Sequence, residues 1–131
     1  MSYLLDTNVC VAFLNAKEPG LVARFARTKP DDVRLCSVVK AELCYGARHS
    51  ARVEQNLDRL ARFFELFESL PFDDAAAEQY GVVRAQLKRA GTPIGANDLM
   101  IASIALSADL RLATRNQDEF RRVAGLRVEV W

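Results

Sequence analysis

The apolar positions of this chain change period several times, and the changes mark out alternating strands and helices. Tyr3-Leu4-Leu5 is a short continuous apolar run ending at Asp6, which suits a parallel strand buried on both faces. Residues 9–14 read as a short helix capped by Thr7 or Asn8. After Pro19-Gly20, the residues Leu21, Val22, Phe25 and Ala26 recur at helical spacing and predict a second helix. Lys29-Pro30-Asp31-Asp32 is a turn, residues 33–37 a second strand, and Ser37 leads into a helix through Arg48. Val39, Leu43 and Gly46 give that helix a tightly packed face, with Gly46 allowing close backbone approach.

Residues 53–67 form a longer amphipathic helix with Leu57, Leu60, Ala61 and Phe64 on one face. A third strand is predicted over 67–72. Asp74 then caps a helix over 75–90 that stops at Gly91 before Pro93. Gly95-Ala96-Asn97 opens the most apolar helix, through Ala108. A strand over 110–114, a short helix over 117–123 and a last strand over 127–131 complete the pattern. Strands alternating with helices predict an α/β fold around a mainly parallel five-stranded sheet, in one domain over residues 1–131.

Composition narrows the function classes only a little. Lys plus Arg number 18 against 17 Asp plus Glu, so net charge by itself points to no partner. Acids gathered in one metal pocket would leave the remaining surface more basic than that total. Cys10, Cys36 and Cys44 lack C-x-x-C spacing and sit in apolar stretches, which predicts buried, reduced thiols. The single histidine, His49, follows a helix end and is expected at the surface, which makes a histidine-rich zinc centre or a histidine-based triad hard to build. No basic stretch followed by a long apolar one opens the chain, and the apolar run 99–108 is too short to span a bilayer. A cytoplasmic protein without membrane contact is expected.

The chemistry lies in the acids. Asp6 ends the first strand, Thr114-Arg115-Asn116 follows the fourth, and Asp98 stands in the first turn of the helix before that fourth strand. Ligands of open parallel sheets bind beyond the carboxyl ends of the strands, and Glu42, about a turn into its helix, can reach the same edge. Taken singly, each acid has an ordinary explanation: Asp98 complements a helix dipole, Asp6 is a turn or cap residue, Glu42 is a half-exposed helix acid. Together they ask for more, because Asp98 heads the helix Leu-Met-Ile-Ala-Ser-Ile-Ala-Leu and no basic residue lies within a turn of it. A shared cation would supply the partner. Carboxylates from separate elements are hard oxygen ligands suited to Mg²⁺ or Mn²⁺, ions that act on phosphates. Gly91-Thr92-Pro93-Ile94-Gly95 lacks the lysine and hydroxyl order of a P-loop, which excludes that class of nucleotide hydrolase.

Four segments resemble the motifs of PIN domains, and within them the VapC toxins of bacterial toxin–antitoxin pairs, in the enteric-type group. They are Leu4-Leu5-Asp6-Thr7-Asn8, residues 37–43 with Gly46, Gly91 to Asp98, and Leu112-Ala113-Thr114-Arg115-Asn116 through Phe120; they span essentially the whole chain. The resemblance implies a three-layer α/β/α fold and a homodimer. It also implies a VapB-type antitoxin whose C-terminal segment occupies the active-site groove. The implied activity is a ribonuclease toxin in which Asp6, Glu42 and Asp98 hold Mg²⁺ or Mn²⁺ and position water for attack on an RNA phosphodiester. Thr7 and Thr114 match supporting hydroxyls. Where many PIN domains carry a fourth acid this chain has Asn116, with Asp118 or Glu119 near enough to compensate. The favoured RNA is tRNA, as in relatives that cut initiator tRNA in the anticodon stem-loop. Lys40, Arg48, Arg84, Lys88, Arg89 and Arg115 are candidate RNA contacts, and no aromatic platform for bases is readable. A non-catalytic PIN-like binding module and a housekeeping RNA-processing nuclease are the alternatives. A phosphoacceptor receiver is disfavoured, because Asp73-Asp74 runs into a helix and the fifth strand ends at Trp131.

Overall fold

The computed structural model describes residues 2–131. The chain runs β1 (Tyr3–Leu5), α1 (Thr7–Asn15), α2 (Pro19–Arg27), a 3-10 turn (Pro30–Asp32), β2 (Val33–Cys36), α3 (Ser37–Arg48) and α4 (Val53–Phe64). It continues with β3 (Glu68–Leu70), α5 (Asp74–Ala90), α6 (Ala96–Ser107), β4 (Arg111–Thr114), α7 (Gln117–Phe120) and β5 (Val128–Val130). The strands form one sheet in the order β3-β2-β1-β4-β5, with every pairing parallel.

β1 takes the centre because it is the strand least able to face water. Leu4 and Leu5 point to opposite faces of the sheet, and both are fully buried. Both faces are therefore covered, which is the three-layer arrangement. From β1 the chain steps outward to β2 and β3, then crosses back to β4 on the other side. That reversal opens a crevice beyond the carboxyl ends of β1 and β4, the topological switch point where ligands of such sheets bind.

α6 fills the interior. Leu99, Ile101, Ala102, Ile104 and Ala105 are all buried, and so is Ser103, whose hydroxyl donates to the Leu99 carbonyl at 2.7 Å. A helix apolar on all sides belongs in a core, and α5 lies along its outer side. At the other end of the molecule an aromatic cluster ties α1 and α2 to α4 and the last residue. Phe13 stacks on Phe25 at 4.0 Å, Phe25 meets Trp131 edge-on at 5.4 Å, and Phe13 lies 5.8 Å from Phe63. Each such pair contributes about 0.5–1.5 kcal/mol beyond its buried area. Among the described residues no helix is long and apolar enough to cross a membrane.

Five sequence expectations need correction. Asp6, not Thr7 or Asn8, caps α1, because β1 passes into the helix without a linker and the Asp6 carboxylate accepts the Val9 N–H at 3.0 Å. Asp73, not Asp74, caps α5 by accepting the Ala76 N–H at 2.9 Å. α4 stops at Phe64, so Phe67 turns into the aromatic cluster instead of extending the helix. Gly46 is exposed, and a Cβ there would meet nothing within 4 Å, so no close backbone approach depends on it. Cys10 and Cys36 are buried, but Cys44 is exposed on the outer side of α3. His49 is exposed, as expected.

Candidate active site

The crevice at the switch point is built from five elements, each of which delivers one polar group. Asp6 arrives at the end of β1. Its N–H continues the β1–β4 ladder by donating to the Ala113 carbonyl at 3.0 Å. One carboxylate oxygen takes the Val9 N–H; the other accepts from the hydroxyl of Thr114, the last residue of β4. Asp6 is only 4% exposed and Thr114 is fully buried. Burial pushes the Asp6 carboxyl above its ordinary value, opposed by the Thr114 hydroxyl and the Val9 N–H, while the nearby charge of Glu42 adds to the rise.

Glu42 comes from α3. It accepts a hydrogen bond from the Thr7 hydroxyl at 2.7 Å, which fastens the start of α1 to the middle of α3. Asp98 comes from the first turn of α6 and shares a surface pocket with Glu42, Gly95, Ala96 and Asn97. Its carboxyl is held up at about 6 against an ordinary 3.8, first by burial and then by the charges of Glu119, Glu42 and Asp6. The start of α6 favours negative charge by up to about 2 kcal/mol in a partly buried setting, yet burial and the neighbouring acids still raise Asp98.

The fourth acid is Glu119, from α7. It accepts from the Gly95 N–H at 2.8 Å and from the Asn116 side-chain amide at 2.6 Å. These bonds, the Gly95 N–H first, hold Glu119 below its ordinary value while Asp98 beside it is raised. Of this pair, Asp98 is the one that takes up a proton first as pH falls. Asn116 therefore does not substitute for a charge; it orients one, and its own N–H is fixed by the Thr114 hydroxyl at 2.9 Å. Asp118 points away and is exposed. Asp118 and Glu119 lie two and three residues beyond Asn116, and of the two it is Glu119 that Asn116 holds.

Among the described residues, none of Asp6, Glu42, Asp98 and Glu119 has a lysine or arginine within ion-pair distance. Nor do three of their side chains stand close enough to form a ready-made cage for an ion. That donor set fits Mg²⁺ and similar hard ions, which keep several waters and take one or two carboxylates together with substrate phosphates. Carboxylates left unpaired, mutually repelling and reachable from solvent fit a cation better than they fit an empty crevice.

Of the cations named from sequence, Arg84 and Lys88 share a pocket and the others are dispersed. Lys40 is half-buried with its ammonium 4.8 Å from the Phe64 ring, Arg115 is paired with Glu18 at 2.7 Å, and Arg48, Lys88 and Arg89 are exposed. Arg84 lies over the Tyr80 ring. On the other side of Glu42 and Thr7 opens a groove of about 320 Å³ with an apolar floor that includes Val11, Leu14, Leu43 and Leu60, bounded by Arg59. No sequence signal exposed that groove, because its walls come from three separate helices.

Comparison with known proteins agrees with this architecture. The PIN domain family matches residues 3–126. A protein of Shigella flexneri named tRNA(fMet)-specific endonuclease VapC is 39% identical over 131 residues, covering 100% of this chain and 98% of that protein. The VapBC2 structure from Rickettsia felis, bound to a DNA fragment from its promoter, superposes with a TM-score of 0.94 at 35% identity, over 100% of this chain and 99% of that one. DNA-bound VapBC from Salmonella typhimurium gives a TM-score of 0.94 at 37% identity, covering 100% and 98%. PIN nucleases in general depend on divalent metal ions. With the strand order, the acid-lined switch point and whole-length similarity in agreement, this chain belongs to the PIN-domain family, in its VapC branch.

Proposed function

We propose that this chain is a metal-dependent endoribonuclease and the toxin of a VapB–VapC type pair, acting in the cytoplasm on tRNA, with initiator tRNA as the favoured target. The observation that carries this reading is the meeting of Asp6, Glu42, Asp98 and Glu119 at the β1/β4 switch point with no ion pair to any of them among the described residues. Asp6, Glu42 and Asp98 would hold the ion, Mg²⁺ or Mn²⁺; when bound it neutralises charge on the phosphodiester and lowers the pKa of an attacking water.

The protein's own groups have distinct tasks. Thr114 and the Val9 N–H fix the Asp6 carboxylate in one orientation. Thr7 does the same for Glu42. Asn116 and the Gly95 N–H hold Glu119 ionised beside Asp98, where it can take up a proton as the reaction proceeds. The target follows from the relatives of Shigella flexneri and Salmonella typhimurium, both named tRNA(fMet)-specific endonucleases. The antitoxin follows from the similarity to VapBC complexes, and the homodimer from the resemblance of the sequence to VapC toxins.

The test is cleavage of total tRNA by the purified protein with Mg²⁺, Mn²⁺ or EDTA, beside Asp98→Asn. Discrete fragments are expected with metal only and with wild type only. Folded protein that cuts neither tRNA nor ribosomal RNA under any metal would replace this reading with a non-catalytic binding module. A small antitoxin gene immediately upstream separates a toxin from a housekeeping nuclease.

A further inference from the structure

A second pocket lies beside the acids, between α5 and the segment that opens α6. Its lining includes Tyr80, Arg84, Lys88, Pro93, Ile94 and Ala96. Ala96 also lines the pocket of Asp98 and Glu42, so the two are contiguous. The pocket has a volume of about 430 Å³ and contains two cations and no acid. Among the described residues neither Arg84 nor Lys88 is in an ion pair. The other cation-rich pocket, around Arg24 and Arg115, differs in being lined by an acid, Glu18, which pairs with Arg115, while Arg24 pairs with Glu129.

Helix geometry explains the grouping. Tyr80, Arg84 and Lys88 are spaced four residues apart, so they form one stripe of α5 about 12 Å long. Arg84 is held in place: its guanidinium lies 5.8 Å from the Tyr80 ring centroid and donates to the Tyr80 hydroxyl at 3.2 Å. The result is an aromatic face, an adjacent planar cation, a second cation one turn on and an apolar side at Pro93 and Ile94. Single-stranded RNA is recognised by groups of this kind, its bases stacked on aromatic or guanidinium planes and its phosphates held by Lys and Arg.

We propose that this pocket is a subsite for single-stranded RNA next to the bond that is cut, with a base against Tyr80 and its flanking phosphates on Arg84 and Lys88. The proposal rests on the ribonuclease reading above and adds to it the residues that would receive the strand beside the acids. It also gives Tyr80 the role of a base platform, which the sequence pattern did not reveal.

The test uses the full chain and a single-stranded RNA oligonucleotide that wild type cleaves. Arg84→Ala with Lys88→Ala is expected to raise KM about tenfold or more while kcat changes little. Binding is measured in an Asp98→Asn background, which leaves the oligonucleotide uncut. There the slope of log affinity against log salt should fall by about 1.4, since each phosphate contact to a single strand accounts for about 0.7. Tyr80→Ala should weaken binding about tenfold and Tyr80→Phe should restore it, because the ring does the stacking. Sedimentation should show the same mass for all variants. Unchanged KM and salt slope, with wild type active, would overturn the subsite alone. A change of mass in the Arg84/Lys88 variant would overturn it in favour of contact with a second copy of the chain. Wild type that cuts no RNA would overturn the ribonuclease reading, and the subsite with it.

Discussion

Asp6 and Asp98 lie at the same edge of the sheet and burial raises both carboxyls, yet the protein supports them unequally. Asp6 is buried and supplied with donors: the Val9 N–H, the Thr114 hydroxyl, and the β4 ladder that fixes its backbone. Asp98 is half-buried, and burial first, then the charges of Glu119, Glu42 and Asp6, raise its carboxyl to about 6. Both carry a cost of burial, but donors from the fold offset part of it at Asp6, whereas the neighbours of Asp98 add to it. The difference teaches that Asp6 serves both structure and site, whereas Asp98 carries a cost in the metal-free protein that a bound cation would relieve.

The sharpest way to break this comparison is to remove each charge without changing shape. Asp6→Asn and Asp98→Asn should each lower cleavage about a thousandfold, as expected if several kcal/mol of charge stabilisation are lost. Their stabilities should diverge. Asp98→Asn removes acid–acid repulsion and should melt higher than wild type without metal. Asp6→Ala should cost about 1–2 kcal/mol relative to Asp6→Asn, because the amide still caps α1 and the methyl cannot. Equal melting shifts for the Asp6 and Asp98 variants would remove the distinction.

A smaller effect is expected at Thr114, which reaches the chemistry only through Asp6 and Asn116. Thr114→Val keeps the volume and deletes the hydroxyl, leaving a buried carboxylate oxygen and the Asn116 N–H without that partner. A ten- to hundredfold fall in cleavage is expected, about the cost of losing an outer-shell partner of a metal ligand. Restored activity at higher metal concentration would mark the loss as one of metal affinity.

The smallest effect is on melting temperature against pH. Asp98 has a folded pKa of about 6 above an ordinary 3.8, so between those values the folded state holds the extra proton. Its contribution is fully present below about pH 4 and is lost as pH rises through about 6. Metal-free protein should therefore melt higher at pH 5 than at pH 7, by a few degrees. The gap should shrink in Asp98→Asn, and Mg²⁺ or Mn²⁺ at pH 7 should raise the wild-type melting temperature. A flat profile for metal-free wild type would show that Asp98 is not in conflict with its surroundings.

Much of this was legible in sequence, for a reason visible in individual residues. Leu4-Leu5 ahead of Asp6 fixes a buried strand and places an acid at its carboxyl end, whatever surrounds it. The apolar run behind Asp98 fixes a core helix with an acid in its first turn. These are local patterns of period and punctuation, and they set the order of elements, the class of fold and three of the four acids. Boundaries shifted where two neighbours compete for one task, as with the caps at Asp6 and Asp73. The exposure of Cys44 and Gly46 followed from which side of α3 faces inward, a choice that Val39 and Leu43 dominate.

By itself the sequence determined what each segment is: strand or helix, buried or amphipathic, acid at its end or not. Tertiary structure alone decided which segments face one another. It selected Glu119 over Asp118, because α7 has four residues and its orientation is set by the anchoring of Phe120 in the core. It gave Asn116 the task of holding that acid, and it set the Tyr80–Arg84–Lys88 stripe beside the opening of α6. Such pairings join residues far apart along the chain, and their geometry depends on how helices pack across the sheet. Local periodicity carries no information about that packing.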